Sequence, residues 1–173
     1  MMTLAETILM TQIGYENLLA RITEKEKEYD QVRDHRQVAF ELSGDGWHDN
    51  PEFNRMQQLE ANLNHTLKTL NDRLDVMKFI DIHDGMRNVQ QVEIGSIVKL
   101  RRYDLADDSE IEEIWEIRGF DETNIKLKHL AYNAPLAEKI MHLHVADIAE
   151  EVQIGSRHFD IEVVALFKTR LIA

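Results

Sequence analysis

Gly44-Asp45-Gly46-Trp47-His48-Asp49-Asn50-Pro51-Glu52-Phe53 decides how this chain folds, because it sets turn residues and a proline between two runs that both carry helical heptads. Upstream, apolar residues recur at Tyr15, Leu18, Leu19, Ile22, Tyr29, Val32 and Ala39, close to the spacing of roughly 3.5 residues that a coiled-coil seam requires. Lys25 and Arg36 interrupt that stripe. Downstream come Phe53, Met56, Leu59, Leu63, Leu67, Leu70, Leu74 and Met77, which from Leu63 onward alternate steps of four and three. Both runs are charged on their other faces and neither contains an internal proline. The pattern predicts an antiparallel helical hairpin. Each arm is about 30 residues and so roughly 45 Å long at about 1.5 Å per residue.

Composition bounds the rest. A chain of 173 residues, 43% hydrophobic and 30% charged, forms one folded domain or two small ones. Its net charge of −12 argues against free-standing affinity for nucleic acid, which comes mainly from neutralising phosphates. Any contact with DNA or RNA is expected to be local or arranged by a partner. Without cysteine there is no disulfide framework, no redox pair and no cysteine-based zinc site. The start, Met1 to Gly14, lacks the basic and apolar regions of a secretory signal, and no apolar run is long enough to span a bilayer. A soluble, cytoplasmic protein with no membrane partner is expected.

The character of the chain changes near residue 81. Ile82-His83-Asp84-Gly85-Met86-Arg87-Asn88 is rich in turn residues and has no period, so 82–88 reads as a hinge between an N-terminal domain over 1–81 and a C-terminal domain over 89–173. In the latter, Val92 to Leu100 and Ile111 to Ile117 alternate as strands do. Further strands are expected over Asn124 to Lys128, Glu151 to Ile154 and His158 to Phe167, with a turn at Gly155-Ser156. Ala134 to Met141 reads as one short helix with Pro135 in its first turn. The fold class is α+β, with a small twisted antiparallel sheet packed on one helix. Trp115, Phe120, Tyr132, Phe159 and Phe167 are expected to form its core.

Four motifs carry a resemblance: Gly14-Tyr15-Glu16-Asn17-Leu18, Gly44-Asp45 with Asp49-Asn50-Pro51-Glu52-Phe53, Gly95-Ser96-Ile97-Val98, and Asn133-Ala134-Pro135-Leu136-Ala137. Together and in this order they resemble the bacterial Gre family of transcript-cleavage factors (GreA/GreB), over nearly the whole chain. The resemblance implies an N-terminal antiparallel coiled coil and a C-terminal domain with an FKBP-like sheet. It implies RNA polymerase as partner, docked through the loop Asn133, Ala134, Pro135, Leu136 and Ala137. The coiled coil enters the secondary channel and brings Asp45 and Asp49 to the active centre, near the 3′ end of the nascent RNA. The chain then stimulates the polymerase to hydrolyse backtracked RNA and has no hydrolase activity of its own. A monomer is the expected active form.

A two-carboxylate tip suits that chemistry. Hydrolysis by two metals needs a second magnesium that clamps water and phosphate oxygens, and magnesium is usually held by one or two carboxylates together with water and substrate. Asp45 and Asp49 supply such a half-site, so Mg²⁺ is expected only jointly with polymerase and not tightly on the chain alone. The plainer reading is local: Asn50 as N-cap, Pro51 at the first helical position, Glu52 at the positive end of the dipole, and Asp49 as a turn or capping residue. The family typically has four residues from the first tip acid to the second, whereas Asp45 through Asp49 is five. Either one residue is inserted or Gly46 stands where the first carboxylate belongs. A channel binder that inhibits or modulates polymerase without cleavage is the nearest alternative; a coiled-coil adaptor or chaperone would present an apolar tip instead.

Trp47 and His48 either contact RNA, by stacking and hydrogen bonding, or pack across the turn. Arg33 and Arg36, one turn apart, either steer toward RNA or form a solvated face. His142 and His144 are expected on one face of a strand, with no third ligand nearby to complete a zinc site.

Overall fold

The computed structural model describes residues 7–169. The chain forms two compact units: one holds Tyr15–Met77, and the other holds Leu9–Gly14 together with the chain from Lys78 onward. The segment 82–88 lies inside the second unit. Among the described residues no helix is long and apolar enough to cross a membrane.

The helix α1 (Gln12–Ser43), whose first three residues belong to the second unit and the rest to the first, leads through a 3-10 turn (Gly44–Asp49) into α2 (Pro51–Val76). At about 1.5 Å per residue the helices run roughly 48 and 39 Å. Burial along α1 follows Tyr15, Leu18, Ile22, Lys25, Tyr29, Val32, Arg36, Ala39 and Ser43, an unbroken alternation of steps of three and four. Lys25 and Arg36 therefore sit in the seam rather than interrupt it, while Leu19 is exposed. On α2 the matching series is Phe53, Met56, Glu60, Leu63, Leu67, Leu70, Leu74 and Met77. Glu60 takes the seam position expected for Leu59, which is 38% exposed. A heptad that continues 53, 56, 60, 63 is regular, whereas a step to 59 breaks it. Glu60 is stabilised there by an ion pair to Arg36 Nε at 2.7 Å and accepts a hydrogen bond from the Tyr29 hydroxyl at 3.4 Å.

Short strands β1 (Ile8–Met10) and β2 (Met77–Phe79) pair with one another. The second unit is built on a five-stranded sheet of β3 (Ile97–Asp104), β4 (Glu110–Arg118), β5 (His129–Ala131), β6 (Ile148–Ile154) and β7 (Arg157–Phe167), in the order β5-β4-β3-β7-β6. The neighbours are antiparallel except β4 and β5, which are parallel. Register shifts between Lys99 and Leu100 and between Ala149 and Val152 are bulges, which bend a strand and raise its twist. The sheet curls over α3 (Pro135–Ile140). Gly155, with φ of 64°, opens the two-residue loop between β6 and β7, where a II′ turn favours glycine.

The core is aliphatic. Val98 and Leu100 from β3, Ile117 from β4, Ile161 and Val163 from β7, and Ala137 and Ile140 from α3 are sealed from solvent; each large one stabilises the fold by roughly 1.5–3 kcal/mol. Of the aromatic residues expected to form it, Trp115 is buried in the cluster and Tyr132 and Phe159 pack at its margin. Phe120 and Phe167 are half-buried outside it. The α+β class and element order are as expected, with three corrections. β3 begins at Ile97, because Glu93 to Ser96 makes a turn in which Ser96 N donates to Glu93 O. The strand expected over Asn124 to Lys128 is a loop, closed by an isolated bridge between Asn124 and His129, whose Lys128 has φ of 54°, and β5 begins at His129. His142 and His144 are not on a strand: His142 has φ of 67° and His144 belongs to an isolated bridge with Gln91.

Glu122, which sequence patterning did not mark, organises the start of α1. Its carboxylate accepts from Thr11 N at 2.7 Å and from Thr11 Oγ1 at 2.9 Å, and Thr11 Oγ1 in turn accepts from Gly14 N. A Cβ at either Gly14 or Gly119 would collide with Glu122 Oε1, which gives Gly14 a steric reason.

Candidate functional site

The turn between the arms is held from within. Asn50 is the N-cap of α2: its Oδ1 accepts from Glu52 N at 2.9 Å and Phe53 N at 3.4 Å, satisfying amides that a helix start leaves open. Its Nδ2 donates to Ala39 O at 3.2 Å and to Ser43 Oγ, and Ser43 Oγ donates to Ala39 O. One amide side chain thus ties the end of α1 to the start of α2. Asn54 adds a bond to His48 O at 3.3 Å.

The capping reading belongs to Asn50 alone. Asp45 and Asp49 are exposed, and among the described residues neither carboxylate has a hydrogen-bond or ion-pair partner. Glu52 differs. A hydrogen bond from Arg55, at 2.9 Å to Oε1, and that residue's charge hold its carboxyl below the usual range. The two aspartates are the uncompensated negative charges of the turn. A 3-10 helix makes a turn every three residues, so residues three apart eclipse. Asp49 then shares an edge with Gly46, Asp45 shares one with His48, and the two carboxylates leave the turn about 120° apart. As a donor set they fit part of a magnesium sphere, whose remaining ligands would be water and partner oxygens. Among the described residues no group of three or more acidic, histidine or cysteine side chains is placed to hold a metal ion.

Trp47 packs across the turn. Its ring meets Phe53 edge-on at 5.0 Å and lies 5.9 Å from Phe40, while His48 rests against it with ring centroids 3.4 Å apart. Phe40 was not marked by the heptad because it lies beside the seam, and it is 42% exposed. Arg36 is engaged by Glu60 and lies 6.0 Å from the Phe53 ring. Arg33 is exposed, with its guanidinium 5.8 Å from the Tyr29 ring.

The loop expected to dock a partner is partly structural. Ala137 is fully buried, and Ala134 and Leu136 pack against the core. Asn133 exchanges hydrogen bonds with Asp121, accepting from its N at 2.9 Å and donating to Oδ1 at 3.0 Å. Pro135 is the exposed member. Charge is denser elsewhere in this unit: buried Glu116 is engaged by Arg87 at 3.3 Å and Arg118 at 3.1 Å.

No family model and no curated protein matches the sequence. Among solved structures, the chain is similar to GreA factor homolog 1 (Gfh1) of Thermus thermophilus, with 18% identity and a TM-score of 0.43 over 94% of this chain and 99% of that one. It is similar to Thermus aquaticus Gfh1 at 19% identity and a TM-score of 0.42, over 94% and 99%. It is also similar to the prokaryotic transcription elongation factor GreA/GreB from Nitrosomonas europaea, at 14% identity and a TM-score of 0.36 over 92% and 97%.

Proposed function

We propose that the chain is a Gre-like factor that binds RNA polymerase, enters its secondary channel by the helical hairpin, and stimulates the polymerase to cleave backtracked RNA. The observation that carries this reading is the state of the tip: Asp45 and Asp49 stand unpaired at the far end of two long helices, while nearby Glu52 is neutralised by Arg55. An acidic pair without internal partners is available to an external cation. Bound there, magnesium would polarise the scissile phosphate and lower the pKa of an attacking water. The part played by this chain is to deliver charge: α1 and α2 set the reach, Asn50 fixes the turn, and Asp49 presents its carboxylate. Two exposed acids leave most of an octahedron to water, so magnesium binds the free chain only weakly.

The test is to add the chain, with magnesium, to backtracked elongation complexes. The RNA should shorten from its 3′ end, and Asp49→Asn should abolish most of that while polymerase binding persists, since an amide keeps the shape but not the charge. Full cleavage by Asp49→Asn would sink the assignment.

A second reading, occupation of the channel without cleavage, is favoured by one observation: Gly46, not Asp45, shares an edge with Asp49. Under it the natural chain leaves the RNA intact and Gly46→Asp, which adds a carboxylate on that edge, gains cleavage. If instead Asp45→Asn costs as much as Asp49→Asn, both acids converge on one ion and the first reading stands.

A further inference from the structure

The tip carries a recess that acidic chemistry does not use. Arg36, Gln37, Phe40, Trp47 and Phe53 line a cavity of about 230 Å³. Phe40 is substantially exposed although it lies 5.9 Å from Trp47 and 6.1 Å from Phe53, so its ring offers a face as well as a packing contact. Gln37 donates from Nε2 to Glu41 at 2.8 Å, which leaves its amide oxygen as an acceptor at the rim. The floor is fixed, because Arg36 is anchored by Glu60 and lies against Phe53.

We propose that this recess is a binding pocket for a single unpaired nucleobase. The exposed Phe40 ring offers a face to a flat ring, with Trp47 and the buried Phe53 packed behind it, and stacking on such a ring is worth roughly 1–3 kcal/mol per base. The Gln37 amide oxygen can accept from the exocyclic amino group on the edge of an adenine. A phosphate group fits poorly, since the one guanidinium that lines the recess is already paired and Asp45 and Asp49 repel an anion. An aliphatic side chain would fill the space but leave the amide unmatched. The ligand is therefore neutral, flat and edged with hydrogen-bonding groups. On the function proposed above, the base is the unpaired 3′ end of the transcript, held beside the carboxylates.

The test uses the full-length chain without polymerase, in a Trp115→Phe background so that Trp47 is the sole tryptophan reporter. Adenosine and a short oligoadenylate are titrated at low and high salt. Saturable quenching of Trp47 that does not weaken as salt rises is expected, because binding through phosphates falls steeply with salt and stacking does not. Phe40→Leu, which keeps apolar packing but removes the π face, should weaken binding on the order of tenfold with unchanged circular dichroism. Gln37→Leu should narrow the preference for adenosine over unsubstituted purine riboside. Oligoadenylate binding tighter than adenosine identifies a strand end as the source, and equal affinities identify the base alone. Absence of saturable quenching by both probes overturns the proposal, as does an unchanged affinity in Phe40→Leu. Because this titration contains no polymerase, it is independent of the cleavage assay on backtracked complexes: adenosine binding here with no cleavage there refutes only the proposed function, and cleavage there without quenching here refutes only the pocket.

Discussion

Asn50 shows how much one amide settles at a helical turn. Its oxygen caps α2 and its nitrogen fastens the last turn of α1, so two substitutions separate the roles. Asn50→Ala removes both and should lower stability by roughly 1–2 kcal/mol, the range for loss of a cap, read from the urea midpoint at unchanged slope. Asn50→Asp keeps the cap acceptor and loses the donor, and should fall between wild type and Asn50→Ala. An Asn50→Asp chain as stable as the wild type would mean that the tie to Ala39 and Ser43 contributes nothing. The capping role of Asn50 was legible in the sequence, because Asn-Pro-Glu is a helix start whose every residue suits its position. The freedom of Asp49 was not, since aspartate and asparagine both cap and only the fold decides which of two neighbours does so.

At the level of the elements, the heptads of both arms were legible and their polar members were not. A stripe traced through apolar residues alone passes over Lys25 and Arg36 and prefers Leu59 to Glu60, yet the geometry of the seam takes Arg36 and Glu60 because they compensate each other across it. Replacing a partly buried ion pair with apolar side chains is often neutral or stabilising, while removing one partner is costly. The double variant Arg36→Leu with Glu60→Leu should therefore match or exceed wild-type stability in urea, whereas Glu60→Leu alone should lose about 1 kcal/mol. Polar seam residues also fix register and partner number, so sedimentation should show self-association in the double variant alone. The sheet was read well where strands alternate and poorly where they are short: β5 has three residues, too few for a period, and the apolar Ile125 and Leu127 before it are exposed in a loop. In β4, burial pushes the carboxyl of Glu113 up, but Lys128, bonded at 2.8 Å, and the charge of Arg102 outweigh it and hold Glu113 below its usual range. A group depressed in the folded state contributes stability above its unfolded value, about 4.3 for glutamate, and loses it as pH falls through the depressed value. Glu113→Gln should accordingly be less stable at neutral pH and show a flatter decline over the acid range. A decline as steep as that of the wild type would assign the acid sensitivity to other carboxylates.

For the whole molecule, the proposal divides labour between a tip that acts and a domain that docks, and the chain path dictates how to test that division. Leu9–Gly14 belongs with the second unit: Phe120 N donates to Leu9 O at 2.8 Å, Ile80 N donates to Met10 O at 2.9 Å, and Thr11 engages Glu122. A fragment that begins after the hairpin lacks this segment, so weak binding by it would confound docking with folding. Point variants in the full chain avoid that. Pro135 is exposed at the first position of α3 and touches neither the core cluster nor Asn133's bonds to Asp121; a glutamate there suits a helix start while changing the surface offered to a partner. Pro135→Glu should raise the concentration needed for half-maximal RNA cleavage and leave the maximum intact, because it removes binding that is equal before and during the reaction. Asp49→Asn should do the reverse, lowering the maximum at an unchanged half-saturating concentration, because its charge acts only once the tip is in place. The two effects should be independent when combined, since the residues lie in different units and share no partner. If Pro135→Glu instead lowered the maximum, the docking loop would be taking part in cleavage, and if Asp49→Asn shifted the concentration, the carboxylate tip would be contributing to docking; either outcome would break the division.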